Sequence, residues 1–209
     1  MKTAMVILFF IFLQAFNPAE AQVRESRTIL FFGDSITAGY GIDMEEAFPA
    51  LIASRIDSLN LAYRSVNAGL SGETSAGGLR RVEWVLRQGV DIFVLELGGN
   101  DGLRGIDPES TKQNLQGIID KVAESNPEAT LLLTGMQAPP NMGESYTRRF
   151  QQIFEELASE NSVIFMPFIL ERVAGDPDLN LPDGIHPTEE GHRLIADHLW
   201  EYLYPMLSR

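Results

Sequence analysis

The chain has 209 residues, 44% of them hydrophobic, a formal net charge of −13 and no cysteine. That length suits one domain with a sizeable core, and the charge argues against binding nucleic acid through its phosphates. The missing cysteines exclude disulfides and a lipoprotein anchor, and a domain of this size can rely on packing instead.

The first 21 residues read as a signal peptide. Lys2 supplies a charged start, Ala4 to Phe16 is an uncharged apolar run, and Ala19-Glu20-Ala21 fits a small-x-small cleavage site. The run falls short of the roughly 20 residues that span a bilayer, and no comparable run follows, so no membrane anchor is expected after cleavage. The mature chain, residues 22–209, is therefore expected to be one exported domain, periplasmic or secreted, with a monomer as the working expectation.

From there the chain alternates short β-type runs with helical patterns. Thr28 to Phe32 is the first predicted strand and Glu45 to Leu59 a helix, followed by a weaker strand at Tyr63 to Asn67. Thr74 to Gln88 carries Leu79, Val82 and Leu86 at helical spacing and stops at Gly89. Asp91 to Leu97 is the third strand, and a helix from Pro108 sets Leu115, Ile118, Ile119 and Val122 on one stripe. Thr130 to Thr134 is the fourth strand, Phe150, Ile153, Phe154 and Leu157 mark a helix, and Val163 to Met166 is the fifth strand. The last predicted helix runs from Thr188 to Tyr204. Strands separated by helices imply right-handed crossovers and a parallel sheet covered on both faces. Ligands of such sheets bind beyond the carboxyl ends of the strands. Ser35, the segment Asn67 to Gly72, Asn100, the segment Met136 to Gly143, and Asp183 with His186 all follow strands, so they converge on one edge.

Only three histidines are available as a general base. His198 falls on the apolar stripe of the last helix and reads as a packed side chain, while His192, in the first turns, reads as a surface residue. His186 lies in Leu181-Pro182-Asp183-Gly184-Ile185-His186-Pro187, where Gly184 permits a sharp turn that would fold the Asp183 carboxylate onto the imidazole. A serine hydroxyl needs a base to take its proton, and the base needs an acceptor on its other nitrogen. Ser35, His186 and Asp183 could fill those roles; equally, Ser35 could be a helix cap and Asp183 an Asx-type turn capping the last helix. Donors for an oxyanion could come from the backbone at Gly72, read as the start of a helix, and from the Asn100 side chain, although both residue types are also common in turns. The nucleophile elbow G-x-S-x-G is absent, because Thr37 stands two residues after Ser35, and there is no H-E-x-x-H. A serine mechanism with no metal or cofactor remains.

Four blocks in register, Gly33-Asp34-Ser35, Gly72 within N-x-G-x-S-G-E-T, Gly98-Gly99-Asn100-Asp101, and Asp183-Gly184-Ile185-His186-Pro187, resemble the SGNH hydrolases, also called GDSL lipases or esterases. The run from Leu95 to Gly105 is especially similar to the exported bacterial acyl-thioesterase I, lysophospholipase and arylesterase group. The resemblance implies a flavodoxin-like three-layer α/β/α fold, with Ser35 as nucleophile, His186 as base and Asp183 as its orienting acid. It also implies an oxyanion hole from the Ser35 and Gly72 backbone N–H groups and the Asn100 side chain. Ile36 replaces the leucine of the GDSL motif, a change that should spare the nucleophile. The loop Met136 to Ser145 keeps the Pro, Asn and Gly character of that group's substrate-covering loop but not its basic residues.

The expected activity is hydrolysis of acyl esters, thioesters or lysophospholipids, small-molecule substrates whose acyl chain would lie under Met136, Pro139, Pro140, Asn141 and Met142. A carbohydrate O-acetylesterase would use the same residues, and a non-catalytic lipid-binding protein on this fold should have lost one of them.

Overall fold

The structure, a computed structural model, describes residues 26–207. The expected signal peptide, its cleavage site and the start of the mature chain at Gln22 lie outside the described residues. Five parallel strands form one sheet: β1 (Arg27–Gly33), β2 (Tyr63–Gly69), β3 (Ile92–Glu96), β4 (Thr130–Thr134) and β5 (Ile164–Met166), in the order β2-β1-β3-β4-β5. The central strands β1 and β3 are buried almost throughout. That explains why Ile29 to Phe32 and Ile92 to Leu95 read as continuous apolar runs, without the alternation of a half-solvated strand.

Two layers of helices cover the sheet. Helices α1 (Ser35–Ala38) and α2 (Phe48–Ser58) follow β1, α3 (Ser75–Leu86) follows β2, and α4 (Gly99–Arg104) and α5 (Pro108–Ser125) follow β3. Helix α6 (Glu144–Glu160) joins β4 to β5, and α7 (Glu189–Leu207) closes the chain. α2 packs with α7, while α3, α5 and α6 pack side by side. This is the division that right-handed crossovers demand when the chain first steps from β1 to β2 and then reverses across β1 to β3. The result is a three-layer α/β/α fold with the flavodoxin-like strand order.

Burial of the predicted stripes holds the layers together. Leu115, Ile118, Ile119 and Val122 of α5, and Phe150, Ile153, Phe154 and Leu157 of α6, are buried in one hydrophobic core with the strands. Phe32 and Phe93 meet with ring centroids 5.4 Å apart, and Phe31 meets Phe48 of α2 edge-on at 5.7 Å. Each such ring contributes about 1.5–3 kcal/mol through removal from water.

Three local expectations are corrected. The helix expected from Glu45 starts as a 3-10 turn at Met44–Glu46, breaks at extended Ala47 and resumes as α2, with Pro49 in the first turn, where its missing N–H costs nothing. The glycine-rich Gly98 to Gly102 segment, where no helix is predicted before Pro108, closes into α4 and ends at Gly105 with φ 64°. His192 is fully buried rather than on the surface. Its Nδ1 accepts the Phe48 N–H at 3.2 Å and its ring stacks on Phe48, because the first turns of α7 lie against the start of α2. Burial pulls the His192 imidazole down to about 4, so it stays neutral. His198 is buried, in keeping with its place on the apolar stripe.

Candidate active site

In the parallel register Gly33 lies beside Gly69 and Glu96, so β1, β2 and β3 end level and release their loops at one edge. The strand order reverses between β1 and β3, which makes the gap above them the ligand crevice of such a sheet. Ser35 stands over it as the first residue of α1. The cap of that helix is Asp34, whose Oδ1 accepts the Ile36 N–H at 3.0 Å, so the Ser35 hydroxyl is not spent on capping.

The support of Ser35 is buried. A side chain at Gly33 would overlap Thr37 Oγ1, the Glu96 carbonyl and Glu96 Oε2. Glu96 Oε2 accepts the Thr37 hydroxyl at 2.6 Å, the Thr37 N–H at 3.2 Å and the Asp34 N–H at 3.4 Å. Asn67 of β2 donates to the Thr37 carbonyl at 2.9 Å from the other side. Burial pushes the Asp34 carboxyl up to about 6, against the Ile36 and Asn100 hydrogen bonds, and burial together with the Asp34 charge pushes Glu96 well above the carboxylate range.

His186 and Asp183 are arranged by their own loop. Leu181 N–H donates to the His186 carbonyl at 2.7 Å, Gly184 N–H donates to the Leu181 carbonyl at 2.8 Å, and Gly184 takes φ 67°. Asp183 Oδ1 accepts the Ile185 and His186 N–H groups at 2.9 and 3.0 Å, an Asx turn, which leaves Oδ2 to meet His186 Nδ1 at 2.7 Å. Capping of α7 falls to Thr188, whose hydroxyl accepts the Gly191 N–H at 3.2 Å. These bonds, His186 first, hold the Asp183 carboxyl down at about 2. On its far side His186 Nε2 reaches Ser35 Oγ at 3.0 Å. Tyr40 lies against the imidazole with ring centroids 4.4 Å apart.

Gly72 is not at a helix start. Glu73 N–H donates to the Leu70 carbonyl at 3.1 Å, forming a turn in which Gly72 takes φ 79°, the type II position that only glycine fits readily. Asn100 lies in the first turn of α4 and donates one amide hydrogen to Asp34 Oδ2 at 3.2 Å. The Ser35 and Gly72 N–H groups and the second Asn100 amide hydrogen have no acceptor among the described residues.

A cavity of about 310 Å³ opens beside Ser35 and Asn100. Met136, Pro139 and Pro140 line it, but Asn141 and Met142 do not. The 3-10 turn Pro140–Met142 carries these two away, and Met142 approaches Gly105 instead. Much of the remaining wall comes from residues not singled out for substrate contact in the sequence, chiefly Ile36, Leu103, Phe168, Leu170 and Ile185. Loop composition gave no signal for them. For Glu96 there was one: a carboxylate inside the otherwise apolar run IFVLEL.

A hydroxyl in line with an imidazole, with unspent N–H donors nearby and an apolar cavity alongside, is the equipment of an acyl hydrolase, in which attack on a carbonyl creates an oxyanion. The chain belongs to the GDSL-like Lipase/Acylhydrolase family, which it matches over residues 31–194. It is 38% identical over 187 residues to Esterase TesA of Pseudomonas aeruginosa, covering 89% of this chain and 92% of that one. It is also 38% identical over 200 residues to Thioesterase 1/protease 1/lysophospholipase L1 of Escherichia coli strain K12, covering 95% and 91%. The crystal structure of the psychrotrophic esterase EstA from Pseudoalteromonas sp., inhibited by monoethylphosphonate, superposes with a TM-score of 0.82 at 32% identity, over 88% of this chain and all of that one. The protein is accordingly a hydrolase of carboxylic ester or thioester bonds.

Proposed function

We propose that the protein is an exported, monomeric serine hydrolase that cleaves esters, thioesters or lysophospholipids of medium or long acyl chains, using Ser35, His186 and Asp183 and no cofactor. The observation that carries this reading is His186, which spans Ser35 Oγ at 3.0 Å and Asp183 Oδ2 at 2.7 Å.

As Ser35 Oγ attacks the acyl carbonyl, His186 Nε2 takes its proton and the carbonyl electrons move to oxygen. Asp183, held ionised down to about pH 2, accepts the Nδ1 hydrogen and offsets the imidazolium charge. The oxyanion takes hydrogens from the Ser35 and Gly72 N–H groups and from Asn100. Collapse reforms the carbonyl and breaks the bond to the leaving oxygen or sulfur, which receives the proton from His186. Water then repeats the sequence: His186 removes its proton, the acyl–Ser35 bond breaks, and the free acid and the Ser35 hydroxyl are released.

The cavity favours a chain over an acetyl group. Walls such as Ile36, Leu103, Met136, Phe168 and Leu170 gain about 0.8 kcal/mol for each methylene they bury, close to fourfold in kcat/KM per carbon until the cavity is filled. Names of relatives, an esterase and a thioesterase 1/lysophospholipase L1, support the same substrate class. The test is turnover of p-nitrophenyl esters from acetate to palmitate and of palmitoyl-CoA by the mature protein, with Ser35→Ala and His186→Ala alongside. Rates should rise beyond acetate, and each variant should lose on the order of 10^4 to 10^6 in turnover with its melting temperature kept. Activity confined to acetate would remove the long-chain reading, and activity retained in Ser35→Ala would remove the site.

A further inference from the structure

The two oxyanion donors outside the nucleophile stand on separate elements, Gly72 on the turn after β2 and Asn100 on α4 after β3. Arg104, on the last turn of α4, joins them. Its Nη2 donates to the Gly72 carbonyl at 3.1 Å and to Asn100 Oδ1 at 3.4 Å. Arg104 is exposed, and it is the nearest group to the open face of Gly72, 3.9 Å from where a Cβ would stand.

Both bonds bear on orientation. The two ends of an asparagine amide have nearly the same shape, so only partners decide which end faces the reaction. A guanidinium has donors only, and can satisfy only Oδ1. Ionised Asp34 can only accept, and takes one Nδ2 hydrogen at 3.2 Å. Together they hold the amide in one setting and leave its other hydrogen for an oxyanion. At Gly72 the carbonyl and N–H belong to neighbouring peptide planes hinged at one Cα with φ 79°, so fixing the carbonyl restrains the rotation that aims the N–H.

A different arginine serves the fold beneath. Arg81 Nε donates to both Glu73 oxygens at 2.8 and 2.7 Å, and Arg81 Nη2 donates to the Ala68 and Gly33 carbonyls at 2.8 and 3.3 Å. The buried Asp101 carboxylate also ties α4 to α3 through the Ser75 N–H at 2.8 Å and hydroxyl at 2.5 Å. With Arg81 and Asp101 fastening the elements, the exposed Arg104 is not needed to keep them together.

We infer that Arg104 is a positioning residue of the oxyanion hole, setting the Asn100 amide and the Gly72 peptide for the transition state without touching substrate. The inference rests on the proposed roles of Asn100 and Gly72. Its test is steady-state hydrolysis of p-nitrophenyl butyrate by Arg104→Met, Arg104→Lys, Asn100→Ala and the Arg104→Met/Asn100→Ala double variant. Loss of one oxyanion donor costs about 10^2 to 10^3 in kcat, so loss of its orientation in Arg104→Met should cost about 10-fold to 100-fold. KM should stay within about twofold, as for an interaction made only in the transition state. The melting temperature should be kept, and Arg104→Lys, which still donates to an oxygen, should recover part of the rate. In the Asn100→Ala background the Arg104→Met loss should shrink, since one of the groups it orients is gone. Unchanged kcat in Arg104→Met beside a 100-fold loss in Asn100→Ala would overturn the role of Arg104 alone. A fully additive double variant, or a loss tracking a lowered melting temperature, would also overturn it. Full activity in Asn100→Ala would take away the oxyanion reading and this inference together.

Discussion

Ser35 and His186, the proposed nucleophile and base, are held in opposite ways. Ser35 sits on a junction packed so tightly that Gly33 has no room for a methyl group, and a side chain at Gly69 would overlap the Ala38 and Thr37 backbone. Its bracing carboxylate, Glu96, comes from another strand 62 residues beyond Asp34. His186 stands on an exposed loop whose bonds begin and end between Leu181 and His186, and a side chain at Gly184 would meet nothing within 4 Å. Ser35 is fixed by the sheet and His186 by six residues of local chemistry, so damage to the two should look different.

The largest difference should come from Gly33→Ala, because backbone and buried polar atoms must shift to admit the methyl. Overpacking of that kind costs about 3 kcal/mol, or about 6–12 °C in melting temperature for a chain of this size. Turnover should fall with it, since Thr37 and Glu96 carry the first turn of α1. A thermal scan showing less than a few degrees of loss would mean that the junction yields more easily than its packing implies.

Gly184→Ala should be milder. The strain of φ 67° in an alanine costs about 1–2 kcal/mol, which is about 2–8 °C, without a clash. Here the loss of kcat should exceed what stability explains, because relaxing the turn moves the Asx bonds that aim His186. Equal proportional losses of stability and rate in the two glycine variants would erase the contrast between the sites.

Glu96→Gln should give the smallest effect and the most specific one. Burial raises Glu96, so across the window between the ordinary carboxylate range and its raised value the folded protein keeps a proton that the unfolded chain has released. Native stability contributed by this group therefore falls as pH climbs through that window. Glutamine has no such proton, so the melting temperature of the variant relative to wild type should rise as pH climbs above the ordinary carboxylate range. A difference that stays flat with pH would show that Glu96 is ionised in the native state.

The same contrast governs what could be read from the sequence. Asp183, Gly184 and His186 were legible as a unit because the turn, the Asx bonds and the imidazole partner lie within a few residues. The strands of the sheet were legible because burial on both faces leaves unbroken apolar runs. The roles of Glu96 and Arg104 were not, because Thr37 and Asp34, and Gly72, are brought to them by crossovers. His192 was misread for the same cause: a polar residue in the first turns of an amphipathic helix reads as solvated until Phe48, 144 residues away in sequence, is packed against it. Asn141 and Met142 were assigned to the acyl wall from composition, and composition does not say where a 3-10 turn points its side chains.

One part of the cavity wall, Met136 to Pro140, follows β4, a strand that carries none of the proposed reacting groups or oxyanion donors. The proposed nucleophile and oxyanion donors follow β1, β2 and β3, and the proposed base and its acid follow β5 together with Phe168 and Leu170. The segment after β4 can therefore be redesigned independently of them. Grafting a longer or bulkier segment between Met136 and Pro140 would retune which acyl group is accepted while leaving the bond-breaking machinery as it stands, a practical handle for tailoring this scaffold to chosen fatty acids.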